Sequence, residues 1–333
     1  MSIGKLTNED LKHFIIDEIK PKRSDILIRP GVGEDCAAIQ FGEYACVVTT
    51  DPITGATEEL GKLAVHVSVN DIASSGAEPV ALLLTLLCPE GTALEDIQKI
   101  VADANKTANA MNIEIIGGHT EITNAVNRIV VSVTAFGRTK AEELIMTSGA
   151  NSGEYLYMTK TVGLEGAAII AREKETTLKE VLTKHEIQLA QSFIEQISVM
   201  REGEIGKQLK VSAMHDVTEG GILGAVYEMC EASKLGCKIY NDKFTIHEVT
   251  QKICAFFNIN PLKLISSGSM LMSINKEIAP AFEQAMIEAE IPYSKIGILT
   301  AATDRLLIFG EEADEAICDV IEPPVGDELY AVV

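Results

Sequence analysis

The stretch Gly31-Val32-Gly33-Glu34-Asp35-Cys36-Ala37-Ala38-Ile39 sets two adjacent carboxylates between a glycine-rich turn and an apolar run. The glycines permit a tight loop, so Glu34 and Asp35 can point into a site where backbone closely approaches a ligand. Working outward, Thr49-Thr50-Asp51-Pro52 closes a β-rich run from Tyr44, which puts Asp51 at a strand end. Val69 to Pro79 reads Val-Asn-Asp-Ile-Ala-Ser-Ser-Gly-Ala-Glu-Pro. On a helix, Asp71 lies four residues after Val67, seven after Ala64 and eight after Leu63, hence on the apolar face. A carboxylate there is costly unless paired, hydrogen-bonded or metal-bound. The plainer readings are an acidic surface turn at Glu34-Asp35, a turn initiator at Asp51 and a helix–loop hydrogen bond at Asp71.

Gly117-Gly118-His119-Thr120-Glu121 adds a fourth segment. If it is extended, His119 and Glu121 face the same side, and Glu121 is the harder ligand. Hard oxygen donors of this kind suit Mg²⁺ held between carboxylates and substrate phosphates. In the second half, His215-Asp216-Val217-Thr218-Glu219-Gly220-Gly221 leads into a helix. A helix N-terminus is a natural phosphate site, although Asp216 or Thr218 can equally be a plain N-cap. Lys160-Thr161-Val162-Gly163-Leu164-Glu165-Gly166 has a similar strand–turn–helix shape, without the Gly-Lys-Ser/Thr order of a Walker A loop.

The 333 residues carry a formal net charge of −21. That length suggests two domains, and the acidity argues against nucleic acid or anionic membrane as partners. No apolar run has the length to span a bilayer, and Met1 to Asp10 lacks a signal-peptide core. Seven cysteines stand singly with no Cys-x-x-Cys, so no disulfide framework or zinc site is expected, and a reducing cytoplasm fits.

Periodicity predicts helices over 7–20 (Thr7 cap, Asp10 at the capping-box position, apolar face Leu11, Phe14, Ile15 and Ile19), 60–75 and 92–111 (Thr92–Glu95 capping box). Val80 to Cys88 reads as a buried strand, with further strands over 44–50, 113–116 and 128–136. A turn-forming stretch at 147–153 separates the halves, giving domains 1–147 and 148–333. The second half is expected to hold strands over 154–159, 211–215, 269–274 and 305–309. Its helices are expected over 167–172, 178–200, from Gly220 to about 232, over 249–257 and over 276–290.

Order and spacing together resemble the AIR synthase (PurM)-like superfamily, most nearly its hydrogenase-maturation HypE branch. Gly31 to Ile39 resembles its Gly-x-Gly-Asp-Asp-Ala-Ala-Val segment, Thr50-Asp51 its Thr-Asp strand end, and Asn70-Asp71 with Gly76 to Pro79 its Asn-Asp…Gly-Ala-x-Pro turn. Gly117 to Thr120 resembles Gly-Gly-Asp-Thr, with His119 in the place of the acid. The resemblance implies an α+β class: an N-terminal α+β domain whose sheet pairs with a second subunit's, making a homodimer, and a C-terminal α/β domain. It implies ATP and Mg²⁺ in a cleft, with phosphoryl transfer to an oxygen or amide-type acceptor and dehydration as a further step open to such an acceptor. Asp35, Asp51, Asp71 and Glu121 become the candidate metal ligands, and Asp71, His119 and Asp216 the candidate catalytic residues. Gly33, Glu34, Asp35, Asn70, Gly117, Gly118, Thr120, Lys160, Thr218, Gly220 and Gly221 become the candidate nucleotide contacts. The chain ends Leu329-Tyr330-Ala331-Val332-Val333 in place of the branch's Pro-Arg-Ile-Cys tail, so the acceptor, a small molecule or a protein-borne group, stays unassigned. A non-catalytic nucleotide-binding partner module and a kinase acting on a thiamine-phosphate-like molecule are the alternatives.

Overall fold

The computed structural model describes residues 4–53, 59–310 and 317–333. The first sheet comprises β1 (Ile26–Ile28), β2 (Ala37–Phe41), β3 (Tyr44–Ile53), β4 (Glu78–Cys88), β5 (Glu114–Ile122) and β6 (Val130–Lys140). Its order is β1-β2-β3-β6-β4-β5, antiparallel except for the β4–β5 pair. One face is covered. Helix α1 (Leu60–Ser74) lies on β3 and β6, and α2 (Leu94–Ala110) packs on α1 and β5. A Cβ at Gly61 would fall 2.1 Å from the Ile100 carbonyl oxygen, so glycine there sets how closely the two helices cross. The opposite face is partly open. β4 therefore alternates between buried and half-buried positions instead of being buried throughout, as its apolar run predicts.

The second sheet comprises β7 (Tyr155–Thr159), β8 (Ala213–Asp216), β9 (Gly236–Tyr240), β10 (Met270–Ile274), β11 (Tyr293–Thr300), β12 (Arg305–Phe309) and β13 (Ile317–Val320). Its order is β13-β12-β9-β11-β7-β10-β8, with β9 and β12 parallel and the other pairs antiparallel. Both faces of its centre are covered. Leu156, Met158 and Leu271 pack in the cluster formed by α6 (Gly221–Ser233), whereas Tyr157, Met270 and Met272 pack in the cluster holding Phe282 and Met286. That two-sided burial explains why these strands are continuously apolar. Asn70 on α1 ties the halves together: its amide donates to Ile197 O at 2.7 Å and accepts from Val199 N at 2.9 Å.

Three expectations shift. Thr7 Oγ1 does accept from Asp10 N, but only Asn8–Asp10 is α-helical before the chain passes through a π turn and a tighter 3₁₀ turn to Glu18. The expected apolar face there is largely exposed at Phe14, Ile15 and Ile19. Thr92 does not cap α2: its hydroxyl donates to Pro89 O at 2.7 Å within the preceding turn, and Ala93 holds the N-cap position without a side-chain hydrogen bond. The helix expected over 178–200 is divided, because Thr183 and Glu186 form a capping box that begins a new helix, Lys184–Ser192. All cysteines are free; Cys318 on β13 is exposed and Cys46 half-buried, whereas the other five are buried. Among the described residues no helix is long and apolar enough to cross a membrane.

Candidate nucleotide and cation site

The glycine loop before β2 is drawn tightly against α6. Gly33 has φ +82°, and a Cβ there would lie 2.8 Å from the Glu228 carbonyl oxygen. The adjacent carboxylates then diverge. Glu34 accepts from the backbone N–H groups of Ser148 (3.2 Å) and Thr147 (3.3 Å), which anchors the loop to the second half. Burial raises its pKa, against the pull of those hydrogen bonds. Asp35 instead accepts from Ser74 Oγ at 2.8 Å and lies 2.7 Å from His215 Nδ1. His215 Nε2 is 3.1 Å from Glu228 Oε2.

Asp71, only 6% exposed near the end of α1, accepts from Thr49 Oγ1 at 2.5 Å. Asp51 lies near the end of β3 and Asp216 ends β8, so four separate segments deliver Asp35, Asp51, Asp71 and Asp216 to one place. All four line a cavity of about 430 Å³, together with Gly33, Glu34, Thr218 and Lys5. One ligand atom each from Asp35, His215 and Asp216 lies within 4.8 Å of the others.

The electrostatics are those of crowded anions. Burial, then Asp51 and Asp216, holds the Asp71 carboxyl well above the usual carboxylate range. Burial, then Asp35, does the same to Asp216, although His215 pulls the other way. Burial pulls the His215 imidazole down, but Asp35 and Glu228 outweigh it and hold the ring well above its ordinary value. Like charges about 4 Å apart repel by roughly 4 kcal/mol at an effective dielectric near 20. A hard divalent cation would relieve that repulsion, and the donors fit one: carboxylate oxygens dominate, and the buried Asp216 Oδ2 has no hydrogen-bond partner. His215 lies between two carboxylates, with Nδ1 2.7 Å from Asp35 and Nε2 3.1 Å from Glu228, so the ring orders Asp35.

The remaining candidates fall elsewhere. Asn70 serves the junction between halves and does not line the cavity. Lys160 also does not line it. Its Nζ is spent on Ser198 O (2.6 Å), Gly268 O (2.9 Å) and the Glu202 carboxylate (2.8 Å), so the structure assigns it to packing and not to phosphate. Gly220 caps α6, but its N–H donates to Asp327 Oδ2 at 2.8 Å, so an aspartate takes the place expected for an anionic ligand. Gly221 packs on the backbone of Leu262 and Leu264. Gly117, Gly118, His119, Thr120 and Glu121 all lie on β5, at the sheet edge and off the cavity wall. His119 Nε2 sits 3.2 Å from Glu121 Oε2 on an exposed face.

Sequence reasoning missed Lys5, Glu165 and Glu228, which also line the cavity. Lys5 Nζ is 3.3 Å from Thr218 Oγ1, and its backbone N–H donates to Glu219 at 3.2 Å. Lys5 keeps an exposed surface; desolvation by the surrounding cavity acts to lower its pKa, but Glu228, Glu219, Asp51 and Asp71 outweigh it and raise it, so the ammonium stays charged. Nothing near Lys5 in the chain announces that placement. Glu165 did carry a signal: it stands four residues before Ile169 in an otherwise apolar helix turn.

Residues 33–139 match the AIR synthase related protein N-terminal domain, and residues 151–308 match the corresponding C-terminal domain. A putative hydrogenase expression/formation protein of Methanocaldococcus jannaschii is 32% identical over 342 residues, covering 99% of this chain and 97% of that protein. The carbamoyl dehydratase HypE of Bradyrhizobium diazoefficiens is 23% identical over 76% of this chain and 73% of its own length. The crystal structure of the hydrogenase maturation protein HypE in complex with ATP superposes with TM-score 0.72 at 18% identity, covering 97% of this chain and 94% of that one. The two-sheet architecture is thus the PurM-like fold, and the chain belongs to the AIR synthase related protein family, among relatives named for hydrogenase maturation.

Proposed function

We propose that the acidic cavity binds ATP with Mg²⁺, and that the protein is a HypE-like maturation enzyme transferring the terminal phosphoryl group to an oxygen of an amide-type acceptor. The observation that carries this reading is the convergence of Asp35, Asp51, Asp71 and Asp216 on one cavity. With a net charge of −21, no global field attracts a triphosphate, so the positive charge has to be local. Asp35, Asp51 and Asp71 would hold the metal, with Asp216 beside them. The cation would neutralise charge on the phosphate oxygens as the transfer proceeds. Lys5 adds a fixed ammonium on the same wall, and Thr218 a hydroxyl. The tightly bent backbone at Gly33 leaves room for close approach. His215 and Glu228 keep the Asp35 carboxylate aimed into the cavity. Catalysis of this kind is mainly positioning and charge neutralisation.

The open face of the first sheet fits pairing with a second copy. β5 is exposed almost throughout, including Ile116 at 58% and Ile122 at 52%. In such a dimer Gly117 to Glu121 would approach the partner's cavity, which gives His119 and Glu121 a place near nucleotide that one protomer does not.

A ligand at a hundredfold its dissociation constant stabilises the fold by about 2.7 kcal/mol. Millimolar Mg²⁺–ATP is expected to raise the melting temperature by roughly 5–10 °C on that basis. Asp51→Asn and Asp71→Asn should abolish the rise. A full shift retained in both variants, or none in the wild type, would remove the assignment. A shift without ATP turnover would instead make the protein a nucleotide-binding partner module.

A further inference from the structure

The cation cluster leaves one buried acid of the cavity unused. Glu165 sits in the first turn of α3 (Leu164–Glu173), directly after the left-handed Gly163 cap. It lines the cavity, is 3% exposed, and its buried Oε2 has no hydrogen-bond partner. Burial pushes its carboxyl up to about 7; Ser267 pulls it down, while Asp327 and Glu219 push it further up. The charges acting most strongly on Asp71 are Asp51, Asp216 and Asp35, a different set. Glu165 therefore belongs to a second group of acids, beside the apolar lining residues Ile169, Ile265 and Leu329.

Its acidic neighbours are already engaged. Asp327 accepts from Gly220 N and Leu329 N, both at 2.8 Å. Glu219 accepts from Tyr330 Oη at 2.6 Å and from Lys5 N at 3.2 Å. Glu165 caps nothing and bridges no elements through that oxygen. An acid so placed, hovering between its protonated and ionised forms near neutral pH, has the properties of a proton-transfer group. Lys5 and His215 are the only basic side chains lining the cavity among the described residues; His215 is paired with Asp35 and Glu228, and Lys5 is the ammonium assigned above to the nucleotide. With Lys5 given to the nucleotide, the described lining residues hold no further unpaired basic side chain to neutralise an anionic acceptor.

We propose that Glu165 is the catalytic base of the phosphoryl transfer, and that the acceptor is an uncharged or cationic group bearing an O–H or N–H, not a phosphate ester. The proposal rests on the nucleotide reading above. For a hydroxyl acceptor, Glu165 takes the O–H proton as the oxygen bonds to the γ-phosphorus and the bond to ADP breaks. For a carboxamide, the proton leaves nitrogen as the C=N bond forms, and the carbonyl oxygen takes the phosphoryl group. In both cases ADP departs and Glu165 passes its proton to solvent.

The test compares wild type, Glu165→Gln and Glu165→Asp with Mg²⁺–ATP, water serving as acceptor, and with a non-hydrolysable ATP analogue as binding probe. All three are expected to show the same thermal shift with the analogue. Turnover should fall about 10²–10⁴-fold in Glu165→Gln, and the rising limb of the pH–rate profile near pH 7 should vanish. Glu165→Asp should retain a limb. A second readout needs no turnover. A carboxyl whose folded pKa is raised binds its proton more tightly when folded, so its contribution to stability is present at low pH and lost as pH rises through about 7. The melting temperature of Glu165→Gln should therefore rise relative to wild type between pH 5 and 8. Wild-type turnover with the limb intact in Glu165→Gln, or parallel melting curves across that range, would overturn the base. Transfer to thiamine monophosphate would overturn the acceptor class. No analogue-induced shift in the wild type would take down the nucleotide reading with it.

Discussion

Asp71 shows how far a single residue could be understood before any coordinates. Its spacing from Leu63, Ala64 and Val67 put a carboxylate on an apolar helix face, and it is buried there, bonded to Thr49 and crowded by Asp51 and Asp216. Removing that charge should help the empty protein and harm the loaded one. Asp71→Asn is expected to melt higher than wild type without ligand at neutral pH and to gain nothing from Mg²⁺–ATP, as calorimetry with and without nucleotide would show. Lys5 illustrates the opposite case. It meets Thr218 and Glu219 across more than 200 positions, a contact reported only by the folded chain. Charge-assisted hydrogen bonds are worth about 1.5–3 kcal/mol. Lys5→Ala should weaken ATP-analogue affinity at least tenfold by titration calorimetry, with little change in secondary structure.

At the scale of elements, long amphipathic or apolar segments were legible and breaks within them were not. α1 and β4 follow directly from their patterns. The division of the 178–200 segment depended on a local competition, the Thr183–Glu186 capping box, that apolar spacing does not register. The strand pattern predicts β5 only over 113–116, where the apolar run ends at Gly117-Gly118. The strand continues because glycine lets β5 pass close to β4, where a Cβ at Gly118 would overlap the Leu84 carbonyl oxygen at 1.8 Å. Close approach also governs the helix layer. Gly61→Ala drives a methyl into the Ile100 backbone, which cannot yield as a side chain would. It should cost about 1–3 kcal/mol in denaturant unfolding, with the pH dependence of stability unchanged.

For the molecule as a whole, the order of acidic and glycine segments was sufficient to indicate a PurM-like architecture, since the segments carrying Asp35, Asp51, Asp71 and Asp216 sit near element ends that the fold turns toward the cleft. What escaped were particular contacts between distant stretches: the Glu34 anchor on Thr147 and Ser148, the Asp327 cap on α6, and the clustering around Glu165. The open face of the first sheet makes a further claim at this scale. If it pairs with a second copy, sedimentation should report a dimer. Ile116→Lys, on a strand already exposed to solvent in one protomer, should then shift it toward monomer without unfolding it. If His119 and Glu121 reach the neighbouring cavity, that monomer should also bind ATP analogue more weakly.

The distribution of thiols has a practical corollary. Cys318 projects from an edge strand remote from the cavity wall, whereas burial hinders ionisation of the half-covered Cys46 and pushes Cys36 far higher still. A maleimide dye used briefly at neutral pH should therefore attach at one position on the native protein. That would provide a single-site fluorescent label without any engineered cysteine.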